Sequence, residues 1–332
     1  MSLQTPYLLF LGDAPDMLAA KVALGVKQWR PENCVGQYRM PGCNADCGLP
    51  DMGIEEAVAK GAKTLVVGVA NRGGVISDPW IDVLKAAIES GLDLAAGLHN
   101  RLADVPVLAE TARAMGHALH DVRVPDRLYP IASGAKRTGK RLLAVGTDCS
   151  CGKMYATLAL DAEMRARGRA SAFRATGQTG ILITGEGVPL DAVVADFMAG
   201  AVEVLSPDAP PDHWDFIEGQ GSLFHPSFAG VTMALIHGAQ PDAMVICHEP
   251  TRTHMRGLPH YPIPSLEETM AACLSAAKLT NPAARFVGAC VNTAALDADA
   301  AAACLADIEA RLGLPAVDPV RTGVGRIVDV LE

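Results

Sequence analysis

Residues 141–154, Arg-Leu-Leu-Ala-Val-Gly-Thr-Asp-Cys-Ser-Cys-Gly-Lys-Met, constrain the fold more than any other part of this chain. An apolar run enters a loop bounded by Gly146 and Gly152, and Lys153 then opens a helical pattern from Met154 to Arg167 that stops at Gly168. Strand, glycine-flanked loop and helix in that order form a phosphate-binding loop. Gly146 lets the chain leave the strand tightly, Gly152 lets backbone N–H groups approach an anion, and Lys153 adds a point charge beside the helix N-terminus. Gly146, Thr147, Cys149, Ser150, Cys151, Gly152, Lys153 and Met154 are therefore the expected cofactor-binding set, and the expected ligand carries a pyrophosphate.

Two departures narrow the chemistry. Five residues, Thr147 to Cys151, separate the glycines, the longer spacing that resembles dethiobiotin synthetase-like proteins rather than the commoner four. Met154 stands where a hydroxyl normally meets Mg²⁺, and a thioether is a poor ligand for a hard cation. Met154 argues against nucleotide hydrolysis, while the spacing leaves an ATP-dependent enzyme open.

The rest of the chain bounds the class. With 332 residues, about two domains are expected, and 50% hydrophobic against 20% charged residues supplies ample core. A net charge of −9 argues against nucleic acid or a membrane surface as the main partner, while leaving a locally held anion open. The sequence shows no bilayer-length apolar run and no secretory start, so a cytoplasmic protein acting on small molecules, assembled as a homo-oligomer, is expected. Nine scattered cysteines read as reduced thiols. Cys43 and Cys47 lack a second pair at ligand spacing, so no metal site is expected.

Short apolar runs alternate with helical patterns in both halves, the signature of βαβ units and parallel sheets. Strands are predicted at 7–12, 65–70, 92–96 and 117–122, then at 142–145, 171–174, 216–218, 244–248 and 286–292. Helices are predicted at 54–60, around 80–89, at 154–167, 266–278 and 299–312. The fold class is α/β: a Rossmann-like N-terminal domain (1–125), a Pro/Gly/Ser and basic linker (126–140), and a P-loop NTPase-like C-terminal domain with a parallel sheet (141–332). Gly12-Asp13-Ala14 after the first strand carries no dinucleotide fingerprint.

Ligands of open parallel sheets sit at the strands' carboxyl ends. The stretches leaving those ends, Arg174 to Gly180, Glu218 to Ser222 and His248 to His254, are expected to converge on the phosphate loop. Glu218 is a candidate general base or Mg²⁺ ligand, its flanking glycines admitting a ligand to the backbone. Asp148 and His248 are the other candidate bases. Arg174 and Arg252 offer guanidinium forks for a carboxylate or phosphate, with Gln178, Gln220, Asn71 and Arg72 as further substrate-binding candidates. Arg39 with Asp46, and His225, His254 and His260, have weaker cases.

Taken together, Gly146-Thr-Asp-Cys149, Gly152-Lys-Met154, Arg174-Ala-Thr-Gly-Gln-Thr-Gly, Ile217-Glu-Gly-Gln-Gly-Ser-Leu and Asn71-Arg-Gly-Gly74 resemble a bacterial two-domain P-loop family long classed as a domain of unknown function. That resemblance covers nearly the whole chain. It implies an N-acetyltransferase that moves the acetyl group of acetyl-CoA to the amine of D-glutamate, with an N-acetyl-D-glutamate dehydrogenase as functional partner. Coenzyme A carries phosphates for the loop without needing the hydroxyl missing at Met154. The competing class is an ATP/Mg-dependent kinase or ligase, in which Asp148 and Glu218 hold Mg²⁺, and a third is a non-catalytic nucleotide-binding protein.

Overall fold

A computed structural model describes residues 3–17, 19–70 and 74–331 of the protein. The first half runs β1 (Tyr7–Gly12), α1 (Lys21–Trp29), β2 (Cys34–Arg39), α2 (Ile54–Ala59), β3 (Thr64–Val67), α3 (Asp78–Glu89), β4 (Asp93–Ala96), α4 (Pro106–Met115) and β5 (Leu119–Asp121). The middle follows with β6 (Lys140–Gly146), α5 (Lys153–Ala166), β7 (Ser171–Arg174), α6 (Gln178–Thr184), α7 (Ala195–Leu205), β8 (Trp214–Ile217) and α8 (Ala229–Ala239). The last part holds β9 (Ala243–His248), β10 (His254–Met255), β11 (Leu258–Pro262), α9 (Leu266–Lys278), β12 (Arg285–Val291), α10 (Ala298–Leu312), β13 (Ala316–Val317) and α11 (Gly325–Leu331).

The chain divides into two compact units. One comprises the chain up to Asp126 together with Gly177–Ala192; the other comprises Arg127–Thr176 and the chain from Val193 onward. The stretch predicted as C-terminal domain thus lends α6 to the first unit, where Ile183 and Thr179 lie against Gly25 of α1.

The first unit is a five-stranded parallel sheet in the order β2-β1-β3-β4-β5. All six residues of β1 and all four of β3 and β4 are buried, as expected of parallel strands covered on both faces. The turn after β1 is filled by Trp80: a Cβ on Gly12 would meet its indole at 2.9 Å, and Trp80 Nε1 donates to Asp13 Oδ1 at 2.9 Å. That packing leaves room only for glycine at position 12.

The second unit is a six-stranded parallel sheet in the order β13-β12-β9-β6-β8-β7, with β6 central and β9 and β8 as its neighbours. Leu142 to Val145 and Ala243 to Cys247 are buried throughout. Helix α9 begins at a capping box, Ser265 accepting from the Glu268 N–H while the Glu268 carboxylate takes the Ser265 N–H. Among the described residues, no helix is long and apolar enough to cross a membrane.

Candidate functional site

The loop that follows β6 has the form required of an anion cradle. Thr147 N–H bonds the Cys247 carbonyl of β9 at 3.1 Å and thereby anchors the loop to its neighbouring strand. Ser150 and Gly152 adopt positive φ, +51° and +106°, and turn the chain into α5. Among the described residues, nothing accepts a hydrogen bond from the N–H groups of Ser150, Cys151, Gly152, Lys153 or Met154. Five consecutive donors thus stand together at one helix N-terminus, an arrangement that suits an anion. Lys153 is buried, and its Nζ donates to the Asp148 carbonyl at 2.7 Å, so the ammonium lies within the loop and not in solvent.

The two cysteines of the loop are not poised as nucleophiles. Cys151 is buried and donates to the Asp148 and Cys247 carbonyls, and burial pushes its thiol pKa up. Burial also raises that of Cys149, against the lowering influence of Lys153 and Arg256.

Asp148 and Arg252, a base and a substrate-binding fork on the sequence reading, are instead partners of each other. Arg252 Nη1 donates to Asp148 Oδ2 at 2.6 Å and to the Cys149 carbonyl at 2.6 Å; Nη2 reaches Ser150 O at 3.4 Å and also pairs with Glu249. Asp148 accepts in addition from the N–H groups of Arg256 (2.8 Å) and Cys149 (2.7 Å). The pair clasps the segment entering β10 onto the phosphate loop. Burial works against the Arg252 charge, but the bonds and charges of Asp148 and Glu249 outweigh it and raise its pKa.

Glu218, at the carboxyl end of β8, is buried. Its Oε2 accepts the Thr176 N–H at 2.8 Å, its carbonyl accepts Thr176 Oγ1 at 2.8 Å, and the Gln220 amide donates to Thr176 O. Glu218 and Gln220 thus hold Thr176, the residue at which the chain leaves the second unit. The sequence suggests that the adjacent glycine admits a ligand. Instead a Cβ on Gly219 would lie 1.6 Å from the Ala144 carbonyl of β6, so Gly219 admits the neighbouring strand.

His248, at the end of β9, is half-buried and pairs through Nδ1 with Thr147 Oγ1 at 3.0 Å. Among the described residues its Nε2 has no partner. Its pKa lies below the ordinary histidine value, first through burial and then through the charges of Arg311 and Arg252, against an opposing Glu249. Of the three carboxylate and imidazole candidates, His248 is the one with an uncommitted basic position.

The structure does not bring Arg174 to the loop. Its Nε donates to Asp215 Oδ1 at 2.7 Å, and Asp215 also binds Ser206 and His213. Asp215 pairs in register with Arg141, five residues before Gly146 and so about 16 Å back along β6. Gln178 belongs to the first unit, packed against Gly97 after β4. Asn71 and Arg72 lie outside the described residues. Arg39 is committed to Asp51 and Asp46.

Two residues near the loop are missed by the sequence reading of the site or rank low in it. Arg256 sits between β10 and β11, and nothing in an isolated loop arginine marks it. His225 is buried, with Nδ1 accepting the Ser227 N–H at 3.2 Å and Nε2 facing Arg256 O at 3.5 Å. One ligand atom each from Asp148, Cys149 and His225 lie within 4.8 Å of one another. That mixed O, S, N set suits a borderline transition metal better than Mg²⁺, and its carboxylate is already held by Arg252. The Thr157 hydroxyl, one turn on from Lys153, is turned back on the helix and donates to the carbonyls of Lys153 and Met154.

Comparison with known proteins agrees with this architecture. Residues 38–125 match the Rossmann-like domain DUF1611_N and residues 130–328 the P-loop domain DUF1611_C, both described as domains of unknown function. A D-glutamate N-acetyltransferase of Tritonibacter scottomollicae is 65% identical over 329 residues, and one of a Pseudoalteromonas species is 48% identical over 328, with 99% of each chain covered in both cases. The crystal structure of a DUF1611 family protein from Anabaena variabilis ATCC 29413 superposes with a TM-score of 0.84 at 34% identity, covering 99% of each chain. With both of its domains matched and full-length relatives at this identity, the chain belongs to the DUF1611 family.

Proposed function

We propose that this protein is a D-glutamate N-acetyltransferase that takes its acetyl group from acetyl-CoA and uses the phosphate loop to hold the coenzyme's phosphates. The observation that carries the loop's role is the run of five unpartnered N–H groups from Ser150 to Met154 beside the Lys153 ammonium. This cradle suits a pyrophosphate and asks for no metal-bound hydroxyl, which Met154 cannot supply. The acceptor is inferred from the names of the two full-length relatives.

Acetyl transfer requires a neutral amine, and therefore a group that takes the ammonium proton. His248 fills that role. In the tautomer whose Nδ1–H donates to Thr147 Oγ1, the Nε2 lone pair is available, and burial favours the neutral ring over the charged one. The amine nitrogen then attacks the thioester carbonyl and the carbon–sulfur bond breaks, the departing thiolate recovering the first proton from the imidazolium; the freed imidazole takes the second proton from the new amide nitrogen and releases it to solvent. The flexible pantetheine arm brings the thioester to the end of β9. Asp148 and Glu218 hold the backbone that shapes the site, their carboxylates engaged by Arg252 and Thr176.

The test is incubation of purified protein with acetyl-CoA, with and without D-glutamate, and separately with ATP and Mg²⁺. Thiol release that tracks N-acetyl-D-glutamate supports the transferase. Stoichiometric consumption of ATP would replace it with a kinase or ligase.

A further inference from the structure

Two arginines approach the phosphate loop from the same segment, and they are differently employed. Arg252 is spent on the protein: Asp148, Glu249 and two loop carbonyls take its guanidinium donors. The Arg256 guanidinium has no acceptor among the described residues, and its charge is felt at the thiol of Cys149 in the loop. Its main chain is held at both ends, the N–H by Asp148 Oδ2 at 2.8 Å and the carbonyl by His225 Nε2 at 3.5 Å. Arg256 and Gly257, the latter at φ +79°, form the two-residue turn between Met255 and Leu258, which pair across the hairpin. A cation is thus presented beside the phosphate loop on a fixed backbone. The same hairpin lines a shallow cavity of about 430 Å³, with Arg252, His254, Met255, Arg256 and Pro259 on its walls.

We infer that Arg256 and the hairpin cavity bind the 3′-phosphate of the coenzyme A donor, a reading that rests on the acetyl-CoA assignment above. A single ribose separates this phosphomonoester from the 5′-pyrophosphate. A loop that holds the pyrophosphate therefore places the second anion close by, however the pantetheine arm runs. A guanidinium meets a phosphomonoester with parallel charge-assisted hydrogen bonds. Arg252, four residues earlier, is the scaffold that sets the hairpin in place.

The deciding measurement is calorimetric binding of CoA and of 3′-dephospho-CoA, without turnover, to the wild type, Arg256→Ala and Arg256→Lys. CoA should bind the wild type about 10-fold or more tightly than the dephospho form, the weight of one charge-assisted contact. Arg256→Ala should lose that preference, binding CoA more weakly and dephospho-CoA unchanged, and Arg256→Lys should restore part of it. Equal binding of both ligands by the wild type, or an equal loss for both in Arg256→Ala, overturns the inference while leaving the acetyl-CoA assignment standing. A raised KM for D-glutamate with unchanged CoA binding in Arg256→Ala also overturns it, moving the arginine to a substrate carboxylate. No CoA binding by the wild type defeats the donor assignment itself, and the inference falls with it.

Discussion

Replacing Arg252 by methionine separates the clasp seen in the structure from the substrate fork suggested by the sequence. The change keeps much of the apolar stem but removes donors at 2.6 Å from both Asp148 Oδ2 and the Cys149 carbonyl. Asp148 is 1% exposed, so its carboxylate cannot recover solvation without loosening the loop. Stranding a buried charge costs about 3–5 kcal/mol. Here two N–H groups, of Arg256 and Cys149, stay on Asp148, which brings the expected loss down to about 2–3 kcal/mol. For a cooperative unit of this size that lowers Tm by roughly 4–12 °C. Thermal unfolding of the wild type, Arg252→Met, Asp148→Asn and the double variant is the assay. The two losses should be strongly non-additive, with a coupling of about 1 kcal/mol or more. An unchanged Tm in Arg252→Met, accompanied by a raised KM for D-glutamate, would refute the clasp and return Arg252 to the substrate.

Other outcomes follow from the same geometry. Lys153→Ala should weaken CoA binding by about 10- to 150-fold, as loss of a charge-assisted contact requires, measured by calorimetry. His248→Gln should cut turnover by about 10²–10⁴-fold with CoA binding retained and partial recovery at high pH, whereas Glu218→Gln, whose amide oxygen still accepts from Thr176, should stay within a few-fold of wild type. Because the folded His248 pKa is depressed, the acid limb of kcat/KM should fall below the ordinary histidine value of about 6.5. The same depression makes the unfolded chain bind more protons in that window, so His248's contribution to stability is complete above it and lost as pH falls, which pH-dependent unfolding of wild type and His248→Gln would show. Gly219→Ala should destabilise by about 3 kcal/mol or more, read as lost soluble yield or Tm, because its Cβ meets the Ala144 carbonyl.

Patterns that are local in the chain are legible from its residues alone. The run 7–12, the strand 171–174 and the helix 266–278 appear with the predicted bounds: the first is an unbroken apolar run, and the helix opens on a capping box and keeps a helical spacing of buried residues. The shape of the loop after β6 is equally plain, since it is set by glycine conformations and backbone N–H groups that neighbouring residues determine. Strand β2 is not legible in this way: its burial is uneven, and Gly36 interrupts it. Helices α7 and α8 are hidden because they are apolar nearly all round; α8 has no charged residue to mark a solvent face, and periodicity vanishes without one.

The roles of the polar residues depend on packing between distant parts of the chain. Arg174, Arg252, Asp148 and Glu218 all stand in segments at strand ends, as their sequence positions required, yet each is committed to another protein group. Long side chains reach partners remote in the chain: Asp215 is 41 residues from Arg174, and Asp148 is 104 from Arg252. Only the order of strands β9-β6-β8-β7 brings such pairs together. Local pattern is therefore enough to specify that this chain builds two α/β units and a P-loop whose N–H groups gather at a helix N-terminus. Which charges support the cradle, and which remain available to a ligand, is set by the folded arrangement, because a buried charge must find its counter-charge wherever the fold places it.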